Sequence, residues 1–291
     1  MYNNNFGLVV QVFATTAKIY YKNEYYVCKI KGKIKNLKNN NSILVGDYVE
    51  LEKVNDEYIV ISIKERKNSI IRPRVANVDT VIVVQSIISP NFNFQLLMKY
   101  LAYYETFIGN VVIMITKSDL CNKDQLNNFN FYYEILKSAG YPIFLSNQES
   151  DFNNFQKFIK NKIFCFVGNS GVGKSTLINK LLPNLSLRTQ EISQSLNRGK
   201  HTTTTSQLII DNAYYLIDTP GFSTIDINLL TPLQFSRSYH DFYFLSNKCK
   251  FANCLHINEP GCAIKDAISK QEINEYRYKV YCDILKEISK V

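Results

Sequence analysis

The chain has 291 residues, 46% hydrophobic and 20% charged, with 34 Lys and Arg against 25 Asp and Glu for a net charge of +9. That length and apolar share can bury a sizeable core in more than one domain. No apolar run approaches a membrane span and no secretory signal pattern is read, so an integral membrane protein and a secreted disulfide framework are excluded and a cytoplasmic protein is expected. Abundant Asn, Lys, Ile and Tyr with no Trp fit an AT-rich genome and account for part of the basicity. There are no internal repeats, and the Asn runs at Asn3 to Asn5 and Asn39 to Asn41 read as terminus and loop.

Residues 1–70 read as all-β. Strands are expected at Leu8 to Phe13, Lys18 to Tyr21, Tyr25 to Ile34, Asp47 to Lys53 and Tyr58 to Ile63, and five short strands suit an OB-like barrel, a frequent oligonucleotide platform. Lys29, Lys31, Lys33 and Lys35 alternate with apolar or small residues, so on a strand they project from one face. Met1 to Arg74 holds thirteen Lys or Arg against seven Asp or Glu, +6 of the chain's +9. Two readings stand: an RNA-binding face, or an edge strand guarded by lysines.

Residues 71–227 read as an α/β domain of alternating strands and helices. Helical patterns occupy Phe94 to Phe107, Gln125 to Ser138 and Phe152 to Lys160. Strands are expected at Val111 to Ile115, Ile143 to Leu145, Ile163 to Val167 and Ala213 to Ile217. Thr116, Lys117, Ser118 and Asp119 follow the first of these at its carboxyl end, where ligands bind in open α/β sheets. The Asp119 carboxylate can accept hydrogen bonds from the ring N–H and the amino group of guanine, a pair adenine lacks, and Lys117 would lie along the base. Thr116 stands where the familiar motif has Asn, and in isolation Lys-Ser-Asp would also read as a helix cap. Ser146 ends the next strand, where a base-contacting loop belongs.

Gly168, Asn169, Ser170, Gly171, Val172, Gly173, Lys174 and Ser175 fit G-x-x-x-x-G-K-[ST], with a strand before them and a helix from Ser175 to Leu182 after them, stopped by Pro183. In such a loop backbone N–H groups and the helix N-terminus cradle phosphates, Lys174 reaches the β- and γ-phosphates, and Ser175 holds Mg²⁺. Asn197 to Thr205 then lies where a nucleotide-sensing switch belongs. Either Thr203 or Thr204 can offer Mg²⁺ a hydroxyl there, and the plain alternative is a polar loop. Asp218-Thr-Pro-Gly221 ends another strand, with Asp218 reaching Mg²⁺ indirectly and the Gly221 N–H sensing the γ-phosphate. Phe222 occupies the place of the glutamine that orients attacking water in Ras-like enzymes. His201 is the nearest substitute; otherwise it is a switch residue that touches a partner.

Residues 228–291 turn helical, with Glu272 to Lys290 an amphipathic closing helix. Cys249-x4-Cys254-x-His256-x5-Cys262 supplies three thiolates and an imidazole, a closed tetrahedral Cys3His set typical of structural zinc. The turn Asn258-Glu-Pro-Gly261 returns the chain to Cys262. Cys28, Cys121, Cys165 and Cys282 read as free cysteines of the core.

The base reader precedes the phosphate loop, which precedes Asp218-Thr-Pro-Gly221. This reverses part of the usual order and marks a circular permutation. With Gly46-Asp47-Tyr-Val49, Arg72-Pro-Arg-Val-Ala-Asn77-Val-Asp79, Gly168 to Thr176, Arg198-Gly-Lys-His-Thr-Thr-Thr204 and Asp218-Thr-Pro-Gly-Phe222, the chain resembles the circularly permuted, small-ribosomal-subunit-dependent GTPases of bacteria over nearly its whole length. The resemblance implies an N-terminal OB-like barrel, a permuted P-loop GTPase domain and a C-terminal helical zinc domain. It implies GTP and GDP as ligands, contacted through the loop to Thr176, and one Zn²⁺, with Mg²⁺ arriving with GTP. It further implies the small ribosomal subunit and its 16S rRNA as partners, action late in subunit assembly, and a monomer. Two other classes remain readable from the residues: a non-hydrolysing nucleotide sensor that binds RNA, and a P-loop ATPase or small-molecule kinase, against which Asp119 argues.

Overall fold

The computed structural model describes residues 6–32, 42–70, 74–183, 206–218 and 225–289. Its strands are β1 (Gly7–Val12), β2 (Thr16–Tyr21), β3 (Glu24–Ile30), β4 (Tyr48–Val54), β5 (Glu57–Ile63), β6 (Ser69–Ile70), β7 (Val75–Ala76), β8 (Thr80–Ser86), β9 (Val111–Thr116), β10 (Ile143–Leu145), β11 (Ile163–Val167), β12 (Gln207–Asp211) and β13 (Tyr214–Asp218). The helices are α1 (Phe94–Phe107), α2 (Lys123–Ser138), α3 (Glu149–Ile159), α4 (Lys174–Leu181), α5 (Pro232–Ser236), α6 (His240–Ser246), α7 (Ala263–Ser269) and α8 (Glu275–Ile288). They divide between two compact units, one of Met1–Thr80, Gln156–Phe166 and Ile178–Phe222, the other of Val81–Phe155, Val167–Leu177 and Ser223–Val291.

In the first unit β1 pairs with β2 and β4, β2 with β3, β3 in parallel with β5, and β5 with β4. The strands therefore close in the order β1-β2-β3-β5-β4, the five-stranded barrel expected of an OB fold. Alternate residues turn inward, so Val9, Ala17, Ile19, Cys28, Ile30, Val49 and Val60 form one buried cluster. Register shifts between Val9 and Gln11 and between Glu50 and Leu51 bend the strands enough for closure. Before β4, the buried Asp47 carboxylate accepts from Arg66 Nε at 2.7 Å and Nη2 at 2.8 Å, a bidentate clasp at the barrel's edge. The same unit pairs β11 in parallel with β13 and folds β12 back on β13 as a hairpin.

The barrel corrects one expectation. The strand read as Tyr25 to Ile34 ends at Ile30, with Lys31 and Gly32 exposed beyond it. Parallel pairing with β5 stops at Ile30↔Val60, with the Lys31 N–H still donating to Val60 O at 3.1 Å, although β5 itself runs on to Ile63. Lys29 alone of the four lysines lies on a strand among the described residues, and Lys33 and Lys35 lie outside them.

In the second unit β8, β9 and β10 are parallel, with Ser86 opposite Thr116 and Leu145 opposite Ile115. Every residue of β8 and β9 is buried, as strands covered on both faces require. Helix α1 begins at the Asn93 cap and buries Phe94, Leu97, Met98, Tyr100, Leu101, Ala102, Tyr103 and Tyr104, which surround its axis. Helix α2 starts two residues earlier than its apolar pattern, because Asn122 and Gln125 form a reciprocal capping box. The closing helix starts later than Glu272, at Glu275, where the Asn274 side chain accepts from the N–H groups of Tyr276 and Arg277. Fully buried Arg277 on α8 donates through Nη2 to Asp241 Oδ1 of α6 at 2.8 Å and through Nη1 to Oδ2, pinning the two helices together.

Candidate functional site

The phosphate loop leaves β11 through Gly168, whose φ of 139° and close approach to the Val84 carbonyl admit no side chain; a Cβ there would lie 2.3 Å from that oxygen. Gly171 and Gly173 also hold positive φ. The loop leads straight into α4, so Lys174 is the first helical residue, with Ser175 and Thr176 exposed behind it. Lys174 Nζ donates to the carbonyls of Gly168 at 2.6 Å and Asn169 at 2.7 Å, and burial lowers its pKa.

The segment Thr116 to Asp119 is fastened onto this loop. Thr116 ends β9 at 4% exposure, and its hydroxyl donates to the Val172 carbonyl at 2.6 Å. The threonine that replaces the usual asparagine therefore braces the phosphate loop directly. Lys117 turns the chain in the left-handed region, at φ 60°. Its ammonium donates to Gly171 O at 2.8 Å and to Ser89 O, so the lysine bridges two loops. A 3₁₀ turn over Ser118–Leu120 then leaves the Asp119 carboxylate exposed. The cap of α2 is Asn122, so Lys117-Ser-Asp119 does not cap that helix.

Ser146 follows β10, and its N–H donates to Ile115 O at 2.9 Å. The neighbouring Asn147 accepts the Ser118 hydroxyl through Oδ1, joining the two base-side loops. On the phosphate side, Tyr100 of α1 donates to Asn169 Oδ1 at 3.2 Å. Asn147, Ser89 and Tyr100 escape sequence reasoning. Asn147 is signalled only by its place beside Ser146, whereas Ser89 and Tyr100 sit in segments with no motif.

Asp218 ends β13 in the first unit. His201, Thr203, Thr204 and Gly221 lie outside the described residues, as does Phe222. On the barrel, exposed Lys29 pairs with Glu57 at 2.6 Å, and Lys31 is exposed.

The second constellation lies in the helical region. The donor atoms of Cys249, Cys254, His256 and Cys262 all lie within 4.8 Å of one another. His256 is buried, and its Nε2–H donates to the Ser236 carbonyl at 3.2 Å. That bond fixes the tautomer and aims Nδ1 at the Sγ atoms of Cys262, 3.4 Å away, and Cys249, 3.7 Å away. Zinc–sulfur bonds of about 2.3 Å place tetrahedral ligands about 3.8 Å apart, so the donor set and its spacing fit a structural zinc ion.

Around it, Glu259 accepts from the N–H groups of Leu255 at 2.7 Å, Ile257 at 2.8 Å and Asn258 at 3.1 Å. Burial opposes its charge, but these donors hold the carboxyl below its ordinary pKa. From α8, the hydroxyls of Tyr278 and Tyr281 donate to His256 O and Leu255 O, each at 2.7 Å. Of the other cysteines, Cys28 and Cys165 are buried and Cys121 and Cys282 partly so, all with free thiols.

A family model of the RsgA GTPases matches residues 63–228. The chain is 48% identical over 259 residues to the small ribosomal subunit biogenesis GTPase RsgA of Malacoplasma penetrans, covering 88% of this chain and 90% of that protein. It is 38% identical to the protein of the same name in Bacillus subtilis, over 86% of each. Among solved structures, YjeQ from Thermotoga maritima aligns with a TM-score of 0.81 at 31% identity, over 98% of both chains. The circularly permuted GTPase YloQ aligns with a TM-score of 0.78 at 30% identity, over 98% of this chain and 95% of that one. With its base reader ahead of its phosphate loop, its five-stranded barrel and its Cys3His cluster, this chain belongs to the RsgA GTPase family.

Proposed function

We propose that this protein binds the maturing small ribosomal subunit while GTP-bound, assists its late assembly, and leaves after hydrolysing GTP to GDP and phosphate. The observation that carries this reading is the fastening of Thr116 and Lys117 onto Val172 and Gly171, which makes one site of a guanine reader and a phosphate cradle. The relatives named as small ribosomal subunit biogenesis GTPases supply the partner. The protein acts as a monomer in the cytoplasm; no helix among the described residues is long and apolar enough to cross a membrane.

In this reading Asp119 takes the two guanine donors, Lys117 lies along the base, and Ser118 and Ser146 shape the base-side loops. The backbone from Gly168 to Thr176 wraps the phosphates. The Lys174 ammonium exchanges the Gly168 and Asn169 carbonyls for β- and γ-phosphate oxygens, a stronger, charge-assisted pairing. Ser175, Asp218 and either Thr203 or Thr204 would hold Mg²⁺, which neutralises phosphate charge when bound. Gly221 reports the γ-phosphate. Phe222 cannot polarise water, so intrinsic hydrolysis is slow, and His201 orients the nucleophile in the subunit-bound state. Cys249, Cys254, His256 and Cys262 hold one Zn²⁺. The N-terminal stretch Met1 to Arg74, with its excess of +6, contacts 16S rRNA through Lys29, Lys31, Lys33 and Lys35 of the barrel region.

Phosphate release from GTP, measured with and without purified small subunits, tests the reading: strong stimulation is expected, and equal rates refute it. His201→Ala should keep nucleotide and subunit binding while losing about two powers of ten of the stimulated rate. Survival of that rate within a few-fold moves the catalytic group elsewhere, to rRNA among other sources.

A further inference from the structure

The zinc cluster and the phosphate loop lie at opposite ends of one buried chain of contacts, all within the second unit. From the metal side, the Nε2–H of His256 donates to Ser236 O on α5, and the Tyr281 hydroxyl donates to Leu255 O between two ligands. Phe235, Tyr239, Phe242 and Tyr281 pack beside these bonds, each fully buried. Phe235 stacks on Tyr281 at 5.1 Å between centroids, and Tyr239 meets Phe235 at 5.7 Å and Phe242 at 5.5 Å. A core of interlocked rings transmits displacement because it cannot deform continuously.

The block ends on α1. The buried Tyr239 hydroxyl donates to the carbonyl of Met98, in the middle of that helix, at 3.2 Å. Lys99 of α1 pairs with Glu287 of α8 at 2.7 Å, a second tie to the same region. Two residues along α1 from Met98, Tyr100 reaches the other way, to Asn169 Oδ1 in the phosphate loop. Tyr100 is fully buried, and burial pushes its phenol up to about 12, so the hydroxyl stays a proton donor at every physiological pH. Farther along the loop, Gly171 is held by Lys117 and Val172 by Thr116. Asn169 is thus the point at which the first half of the loop is held by a side chain from outside the two nucleotide motifs.

We propose that α1 is a strut between the zinc-bearing segment and the phosphate loop, with Tyr239 and Tyr100 as its hydrogen-bonded ends, so that Tyr100 is a positioning residue for nucleotide binding. The proposal rests on the nucleotide-site reading above. It extends that reading, because neither tyrosine belongs to a nucleotide motif or to the metal ligands. An intact zinc segment would then be required for full nucleotide affinity although it touches no nucleotide.

The test is a double-mutant cycle on the full-length, zinc-loaded protein, read as the Kd for a fluorescent N-methylanthraniloyl-GDP. Tyr100→Phe and Asn169→Ala should each weaken binding about three- to tenfold, the range set by loss of one buried hydrogen bond, and together no more than the worse single change. Tyr239→Phe should weaken binding by about twofold or more while the zinc content stays unchanged. Amide hydrogen exchange should quicken across residues 168–173 in Tyr100→Phe and Tyr239→Phe, a readout that a purely structural role elsewhere would leave still. Additive effects of Tyr100→Phe and Asn169→Ala, or unchanged affinity in Tyr239→Phe, overturn the strut. If the wild-type protein itself fails to bind the GDP probe, the nucleotide-site reading falls, and the strut falls with it.

Discussion

Replacing Thr116 by valine removes one hydroxyl and little else. The two side chains have nearly the same shape, so the 4% exposed site keeps its packing. What goes is the 2.6 Å donation to Val172 O, in a residue that is itself only 1% exposed. The carbonyl is left without that donor in a place water reaches poorly, which costs about 1–2 kcal/mol. Val172 sits in the phosphate loop between strand and helix, so the cost falls on the loop's phosphate-ready shape more than on the fold. Converted at 1.4 kcal/mol per tenfold, it raises the GDP Kd about five- to thirtyfold. Titration of fluorescent GDP measures this directly, with melting temperature as the check on folding. Thr116→Ser keeps the donor and should stay within about threefold of wild type. If valine and serine variants bind GDP equally well, the hydroxyl does not brace the loop and the reasoning fails.

Asp119→Asn should weaken GTP strongly and favour xanthosine triphosphate, whose base offers a carbonyl where guanine has an amino group; equal GTP affinity in both proteins removes Asp119 from the site. Protein purified without chelator should carry about one zinc, and Cys254→Ser should lose it and melt the helical region; less than about half an equivalent in the wild type counts against the Cys3His assignment. The imidazole of His240 is raised above its ordinary value of 6.5, first by its hydrogen bond to the Glu105 carboxylate and against the opposing effect of burial. Its contribution to stability is therefore complete below pH 6.5 and lost as pH rises through the higher folded value. Thermal melts should fall across that window in the wild type and fall less in His240→Gln; identical pH slopes in the two proteins would contradict the pairing.

The parts legible in the sequence are those whose chemistry is local. A glycine-rich loop between an apolar strand and a helix declares itself, and β11, Gly168 to Ser175 and α4 stand where the pattern puts them. Helix α1 matches its reading residue for residue, because Asn93 caps it and the apolar pattern runs its whole length. The Cys3His spacing foretold the clustered ligands. Contacts made by residues far apart in the chain were not legible: Tyr100 to Asn169, Lys117 to Ser89, and Ser236 behind His256. Each joins a side chain to a partner that only the folded path brings near, so no periodicity or spacing encodes it. The overlong strand after Tyr25 failed for a related reason, since alternation persists in the sequence after β3 has left its pairing with β5. Thr116 shows the opposite case, where a departure from the familiar motif still ties its segment to the phosphate loop.

The three amides gathered by Glu259 bear on how a metal would be captured at the Cys3His cluster. Bringing four donors around an ion ordinarily costs chain entropy at the moment of chelation, and that cost lowers affinity. Here the Glu259 carboxylate, outside the Cys3His set, gathers the amides of the segment from Leu255 to Asn258, with His256 in its left-handed conformation at φ 64°. A loop closed in this way by hydrogen bonds would meet an ion preorganised, so a change at Glu259 would alter affinity for it while all four Cys3His side chains are left untouched, separating the strength of the grip from the identity of the metal.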